Sequence, residues 1–355
     1  MLGTEGPSGG KTEILNCTLK KAFHLRNKKS INLLIKALIA LLLAWAIYRQ
    51  VFARQDAVSM WNSLVQHFVK PNIYWFFLVI ALAPVNLAFE SLKWRELIKG
   101  FSKMNFWRSY KAVLSGVTIA IFTPNRVGEY GGRILFVKPE NNWKAVIATM
   151  VGSLAQLLVV LSFGLVGLGV FSVYMPESEV RGLALIYSLG GILIGGMFFT
   201  FFNIDLLIPV VKRLPFIHYL KRYFKHLLVL KNYTFRELLT ALSYAFLRYA
   251  TYSLQYYFLL KFYEIPVPLG IGLAGIATAF FVQASIPLPP VMGLLARGEI
   301  ALFIWGFFSQ NEVSILAATF SLFVINVAVP ALIGMAFIVQ ANIVKTFGYE
   351  NGSNQ

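Results

Sequence analysis

The chain has 355 residues, of which 57% are hydrophobic and 13% charged, and its mean hydropathy is +0.67. That charge content is about half of the ~25% usual in soluble domains, and with several apolar runs of about 20 residues it excludes an ordinary soluble enzyme and points to a polytopic helical membrane protein. The formal net charge is +17, but the basic residues gather beside apolar spans as the positive-inside bias predicts, so no nucleic-acid partner is expected.

Residues 1–30 read as a flexible basic tail. Within it Gly6-Pro7-Ser8-Gly9-Gly10-Lys11-Thr12 imitates a phosphate-binding loop. Glu5 stands where the first glycine is needed and no apolar strand precedes it, so no nucleotide site is expected. Cys17 is the one cysteine, which excludes an intrachain disulfide and a cysteine-rich metal site. His24, His67, His218 and His226 have no metal-ligand spacing, so neither a metal nor a cofactor is expected. Residues 31–46 resemble a signal peptide ending at Ala44-Trp45-Ala46. The long polar stretch before them and Lys36 inside them favour a retained first helix.

Apolar spans are predicted at about 31–53, 73–92, 112–123 with 127–138, 143–172, 182–203, 236–260, 269–286 with 292–308, and 313–341. The N-terminal tail, the stretch 93–111 and the stretch 204–236 are rich in lysine and arginine and are expected to be cytoplasmic. The stretches 54–72, 173–181 and 261–268 are charge-poor or mixed and suit the outer side. A short amphipathic surface helix is expected around Phe216, Tyr219, Tyr223 and Phe224. Both chain termini are then expected in the cytoplasm of a cell (inner) membrane protein, with 342–355 a short polar tail.

This topology closes only if each proline-broken segment enters and leaves on one side. The expected fold is therefore an all-α polytopic membrane protein, a single domain over 31–341 with about six full spans and two re-entrant broken helices. Its halves, about 31–172 and 182–341, form an inverted repeat. Pro124 and Gly128, and likewise Pro289 and Gly293, are spaced four apart and serve as candidate hinges. Each glycine is followed within six residues by a glutamate and an arginine.

Ionisable residues inside spans mark functional sites by default. In the first hairpin Glu129 and Arg133 are four apart on one helix face, Arg126 adds a charge, and the half-helix N-terminus favours an anion. The alternative is that these three side chains merely hold the hairpin shut. The second hairpin supplies Arg297 and Glu299, with snorkelling to the surface as the alternative. Arg248 lies near the centre of its span on a face with Tyr244, Tyr252 and Gln255, and needs an anion, a watery cavity or a pair with Glu129 or Glu299. Weaker candidates are Asn86, Glu90, Gln156, Gln283 and Asn326, since single amides in such helices more often bond neighbouring helices.

The run Thr123-Pro124-x-Arg126-x-Gly128-Glu129 with Arg133 resembles the signature of the lysylphosphatidylglycerol synthase transmembrane region family, also described as flippase-like. Pro289, Gly293 and Glu299 are similar to that family's second element, with Pro290-Val291-Met292 where glycines are usual. The resemblance spans about 31–341. It implies a bacterial or archaeal membrane protein that moves polar lipids between leaflets. Longer relatives add a soluble domain that transfers lysine; this chain has none after residue 341, so lysyltransferase activity is not expected.

The expectation is a flippase-like transporter of an anionic phospholipid or polyprenyl-phosphate-type lipid. Arg126, Glu129, Arg133, Arg248, Tyr252, Gln255, Arg297 and Glu299 bind substrate in this reading. The rivals are a membrane-embedded lipid-modifying enzyme, for which the spans offer no histidine or paired aspartates and only an isolated Asp205, and a non-transporting scaffold. The sequence leaves the oligomeric state open.

Overall fold

A computed structural model describes residues 32–46, 48, 57–123, 126–174, 182–209, 227–286 and 290–341. The two tails, Pro124 and Pro289 at the breaks, and the surface helix expected around Phe216–224 lie outside the described residues. Among the described residues all regular structure is helical.

In chain order the helices are α1 Asn32–Ala46, α2 Ala57–Phe68, α3 Ile73–Ile98, α4 Phe106–Ala120, α5 Gly128–Ile134 and α6 Asn142–Phe171. They continue with α7 Leu183–Phe202, α8 Phe235–Phe262, α9 Leu269–Ser285, α10 Pro290–Trp305 and α11 Glu312–Gln340. Their backbone groups pair within each helix, which is what a hydrocarbon surrounding demands. Local chemistry sets several starts. Thr234 and Glu237 form a capping box at α8, Asn105 accepts the Arg108 N–H at α4, and Asn311 accepts the Ser314 N–H at α11.

Among the described residues, four helical stretches are long and apolar enough to cross a membrane: Ile73–Ile98, Pro139–Tyr174, Leu183–Phe202 and Glu312–Gln340. Of these, Leu183–Phe202 has only 6% of its apolar window covered by the rest of the protein. A helix apolar all round and so little covered needs lipid around it. The chain is a multi-pass membrane protein.

One sequence expectation is refined and one changes. The stretch 54–72 holds α2, whose Phe68 meets Phe262 and whose His67 meets Tyr263. The run was too short and too mixed to read as a span, yet tertiary packing supports a helix there. The basic stretch at 93–111 does not begin at Lys93. Helix α3 continues to Ile98, and Lys93 is buried because Glu90, one turn earlier, neutralises it.

The axis of the bundle is the antiparallel pair α3 and α8. Tyr233 bonds the Leu97 carbonyl just before α8 begins, Gln255 bonds the Val79 carbonyl, and Asn72 meets Glu264 just after α8 ends. One partner advances as the other retreats. This pair gives the molecule two ends: end A, where α3 finishes and α8 starts, and end B, where α3 starts and α8 finishes.

The first broken segment is a helical hairpin rooted at end A. Gly128 lies against Ile119, Gly132 against Ser115 and Gly116, and Arg108 Nε donates to the Phe136 carbonyl at 3.1 Å. At about 22 Å and 10 Å, neither α4 nor α5 reaches the ~30 Å of a hydrocarbon core. The second broken segment is a hairpin rooted at end B, where Gly275 of α9 lies against Ile304 and Trp305 of α10 and Val267 accepts a bond from Tyr257.

Each hairpin leans on a long helix remote from it in sequence. Helix α4 packs antiparallel on α11, with Gly334 against Leu114 and Thr118 donating to the Ala331 carbonyl at 2.8 Å. Helix α9 packs antiparallel on α6, with Gly164 against Phe281 and Gly167 against Ala277. Leu294 of α10 belongs to one apolar cluster with Val113 and Val117 of α4, Ile121 just after it, and Leu43, Leu87 and Ala331.

Candidate functional site

Helix α3 places Asn86, Glu90 and Lys93 at steps of four and three residues on one face. Helix α8 answers with Arg248, Tyr252 and Gln255 at the same steps. The first hairpin brings Glu129 and Arg133 from α5. It can do so because its seam is glycine: a Cβ on Gly128 would sit 2.4 Å from the Ile119 carbonyl oxygen, and one on Gly132 2.3 Å from that of Ser115. Small residues at i and i+4 let two backbones touch, as in close-packed membrane helices. On α4, Gly116 makes room for the side chains of Glu129 and Arg133.

The result is a buried ionic network. Glu90 Oε1 accepts from Arg133 at 2.6 Å, and Arg133 also pairs with Glu129. Lys93 Nζ lies 2.7 Å and Arg248 3.0 Å from Glu90 Oε2. Glu129 reaches in turn to Arg126, whose Nε is 3.5 Å away. Four cations thus converge on two carboxylates. Arg133 and Lys93 are almost wholly buried, whereas the Arg248 side chain is 22% and the Arg126 side chain 48% exposed.

Amides fix the arginine on α8. Arg248 Nε donates to Asn86 Oδ1 at 3.1 Å and Nη1 to Gln156 Oε1 at 3.3 Å. Asn86 donates to Gln255 at 3.3 Å and to Asn326 at 3.5 Å. Asn326 sits in a π-helical turn, Val324–Ala328, inside α11; such turns re-aim side chains and recur at functional sites. Beneath the network the Arg133 guanidinium lies 5.6 Å from the centre of the Trp94 ring, and Trp94 bonds Thr149 at 3.0 Å.

The hairpin tip is shaped locally. Thr123 Oγ1 accepts the Gly128 N–H at 2.8 Å, and Arg126 has a left-handed backbone with φ 59°. Because α5 spans only seven residues and its first N–H is taken by Thr123, attraction for an anion rests here on side chains.

Of the residues singled out from sequence, Arg126, Glu129, Arg133, Arg248 and Gln255 come together, joined by Asn86, Glu90, Gln156 and Asn326. Tyr252 instead stacks on Phe280 with centroids 5.3 Å apart. The second hairpin contributes less. Arg297 is half-buried, while Glu299 is exposed. Gln283 is half-buried near the end of α9. Gly293 would accept a Cβ without touching any described residue, unlike Gly128.

Sequence reasoning missed Lys93 and ranked Glu90 too low. The available signal was a lone carboxylate inside an apolar run with a lysine one turn later, a pair that can neutralise itself within a helix. Reading Lys93 as the first residue of a basic loop hid it.

The family described as lysylphosphatidylglycerol synthase TM region matches residues 33–334, most of the chain. No curated protein matches it.

Proposed function

The chain belongs to the lysylphosphatidylglycerol synthase TM region family, which makes it a membrane protein of lipid-related envelope function, and we propose that it moves a polar, phosphate-bearing lipid between leaflets. The observation that carries this reading is the excess of cations in the network: Lys93, Arg126, Arg133 and Arg248 against Glu90 and Glu129. Charges taken out of water are costly unless compensated, so an excess inside a membrane bundle favours an incoming anion.

The four cations divide the work. Arg133 and Lys93 are sealed in and hold the carboxylates in place. Arg248 and Arg126 retain exposure and are the groups that would meet a headgroup phosphate, Arg248 offering a guanidinium fork already oriented by Asn86 and Gln156. The acyl chains stay in lipid while the headgroup follows the polar route. Headgroup transfer requires no covalent step, and no enzyme activity is proposed.

The pairing of the helices supports this reading, because it is the pairing that an inverted repeat would have. With α4 matched to α9 and α6 to α11, the contact of α4 on α11 and that of α9 on α6 exchange with one another, and α3 exchanges with α8. The hairpins root at opposite ends, as alternating access requires. The basic stretches support a cell-membrane location with cytoplasmic termini.

The test is a reconstituted-liposome assay with headgroup-labelled lipid. Arg248→Gln and Arg126→Ala are expected to slow movement between leaflets by about ten-fold or more, the loss of one charge-assisted contact. Wild-type rates in both variants would sink the assignment. A new lipid species after incubation with total lipid would favour an enzyme instead.

A further inference from the structure

At end A the root of the first hairpin is hollowed into a groove of about 620 Å³, within the size range of small-molecule sites. Arg108 and Lys111 line it from α4, Lys138 from the turn after α5, and Trp107 and Phe136 form its aromatic side. Among the described residues, none of those that line it is acidic. This is unlike the network around Glu90, where each cation faces a carboxylate. Arg108 gives its Nε to the Phe136 carbonyl, and Lys111 lies 5.2 Å over the Phe337 ring. All three basic side chains are exposed, as is Trp107 at 67%.

The depth of the groove is marked by Phe106, Trp107 and Tyr110, whose rings contact one another at 5.4 to 6.1 Å. Aromatic clusters of this kind sit at the headgroup level of a bilayer. Trp107 and Lys111 are four residues apart and therefore share a face of α4, the ring beside the charge.

We propose that this groove binds the phosphate of an anionic lipid, as a site separate from the buried network. Arg108, Lys111 and Lys138 supply the charge, and Trp107 and Phe136 take the apolar part just below the phosphate. Basic pockets between membrane helices recognise anionic headgroups by this chemistry. Inorganic phosphate offers the same oxygens, but it leaves the aromatic wall without a partner, and the wall argues for the lipid. The groove shares no residue with the Glu90 network, so it stands whether or not the protein moves lipid.

The full chain is reconstituted in phosphatidylcholine vesicles containing brominated phosphatidylglycerol or, in parallel, brominated phosphatidylcholine. Trp107 fluorescence is taken as the difference from Trp107→Phe. Preferential quenching by the brominated phosphatidylglycerol is expected, with the preference falling about five-fold for each of Lys111→Gln and Lys138→Gln, the contribution of one basic residue near an anionic surface. Equal quenching by both lipids overturns the proposal, as does an unchanged preference in the double variant. In a further arm inorganic phosphate is added against chloride at matched ionic strength. A preference that survives supports the lipid, and one that phosphate alone abolishes assigns the groove to the free anion and overturns the lipid.

Discussion

Glu90 is the residue on which the network turns, because one carboxylate faces Lys93, Arg133 and Arg248 together. Glu90→Gln keeps the shape and removes the charge, leaving three cations converging on an amide. A loss of about 3–5 kcal/mol is expected, the usual result of breaking a buried ion pair, measured by thermal unfolding in detergent. Removing Lys93 as well, in Glu90→Gln/Lys93→Met, takes out one of the stranded charges and should recover part of that loss; no recovery would mean that Lys93 is not neutralised by Glu90. Arg126 lies at the other extreme. It is half-exposed and 3.5 Å from Glu129, so Arg126→Ala should cost no more than about 1 kcal/mol of stability. A large effect on lipid movement with a small one on unfolding would separate its role from that of Arg133. The sequence revealed Glu129, Arg133 and Arg248 because a charge in an apolar run is conspicuous. It did not reveal Lys93, because a charge at the end of such a run looks like the start of a loop.

At the scale of elements, the two hairpins are built differently despite their similar proline–glycine spacing. The seam between α4 and α5 is closed over glycine, and Gly132→Ala would drive a Cβ to within 2.3 Å of a backbone oxygen. Overpacking of about 1–3 kcal/mol is expected, with Glu129 and Arg133 pushed away from α3. Gly293→Ala meets no described residue within 4 Å and removes a helix-interior glycine, so it should be neutral or stabilising by up to about 1 kcal/mol. Equal destabilisation by the two substitutions would contradict this asymmetry. The turn after α8 makes a pH-dependent prediction. The ammonium of Lys70 hydrogen-bonds the Glu264 carboxyl and, with the charge of Lys70 and the nearby His67 and Asn72, holds it below the ordinary value of 4.5. A depressed carboxylate stabilises the fold above its unfolded value and loses that contribution as pH falls through the folded one. Glu264→Gln should therefore lower the melting temperature slightly at neutral pH and leave it unchanged well below pH 4.5, where both forms are uncharged. A difference that persists in acid would rule out the ion pair as its source.

For the whole molecule, the decisive feature is that the hairpin roots lie at opposite ends of the α3–α8 axis. Lys138 is at end A and Gln310, between α10 and α11, is at end B, and both are exposed. With Cys17 replaced by serine, Lys138→Cys and Gln310→Cys should react with a membrane-impermeant maleimide from opposite sides of the membrane. Labelling of both from one side would overturn the arrangement of the hairpins in the bilayer.

The sequence alone determined that this is a helical membrane protein, where its chain breaks, and which charges lie inside apolar runs. Those properties are local: hydropathy over a span, a proline without an N–H, a glycine without a Cβ. Only the tertiary structure decided that Glu90 rather than Glu299 receives Arg248, that Lys93 is buried, and that Arg297 and Glu299 stand apart from the network. An ion pair between α3, α5 and α8 depends on which helices touch. In this bundle that was settled by glycine seams and by long-range packing, which no single stretch of sequence encodes.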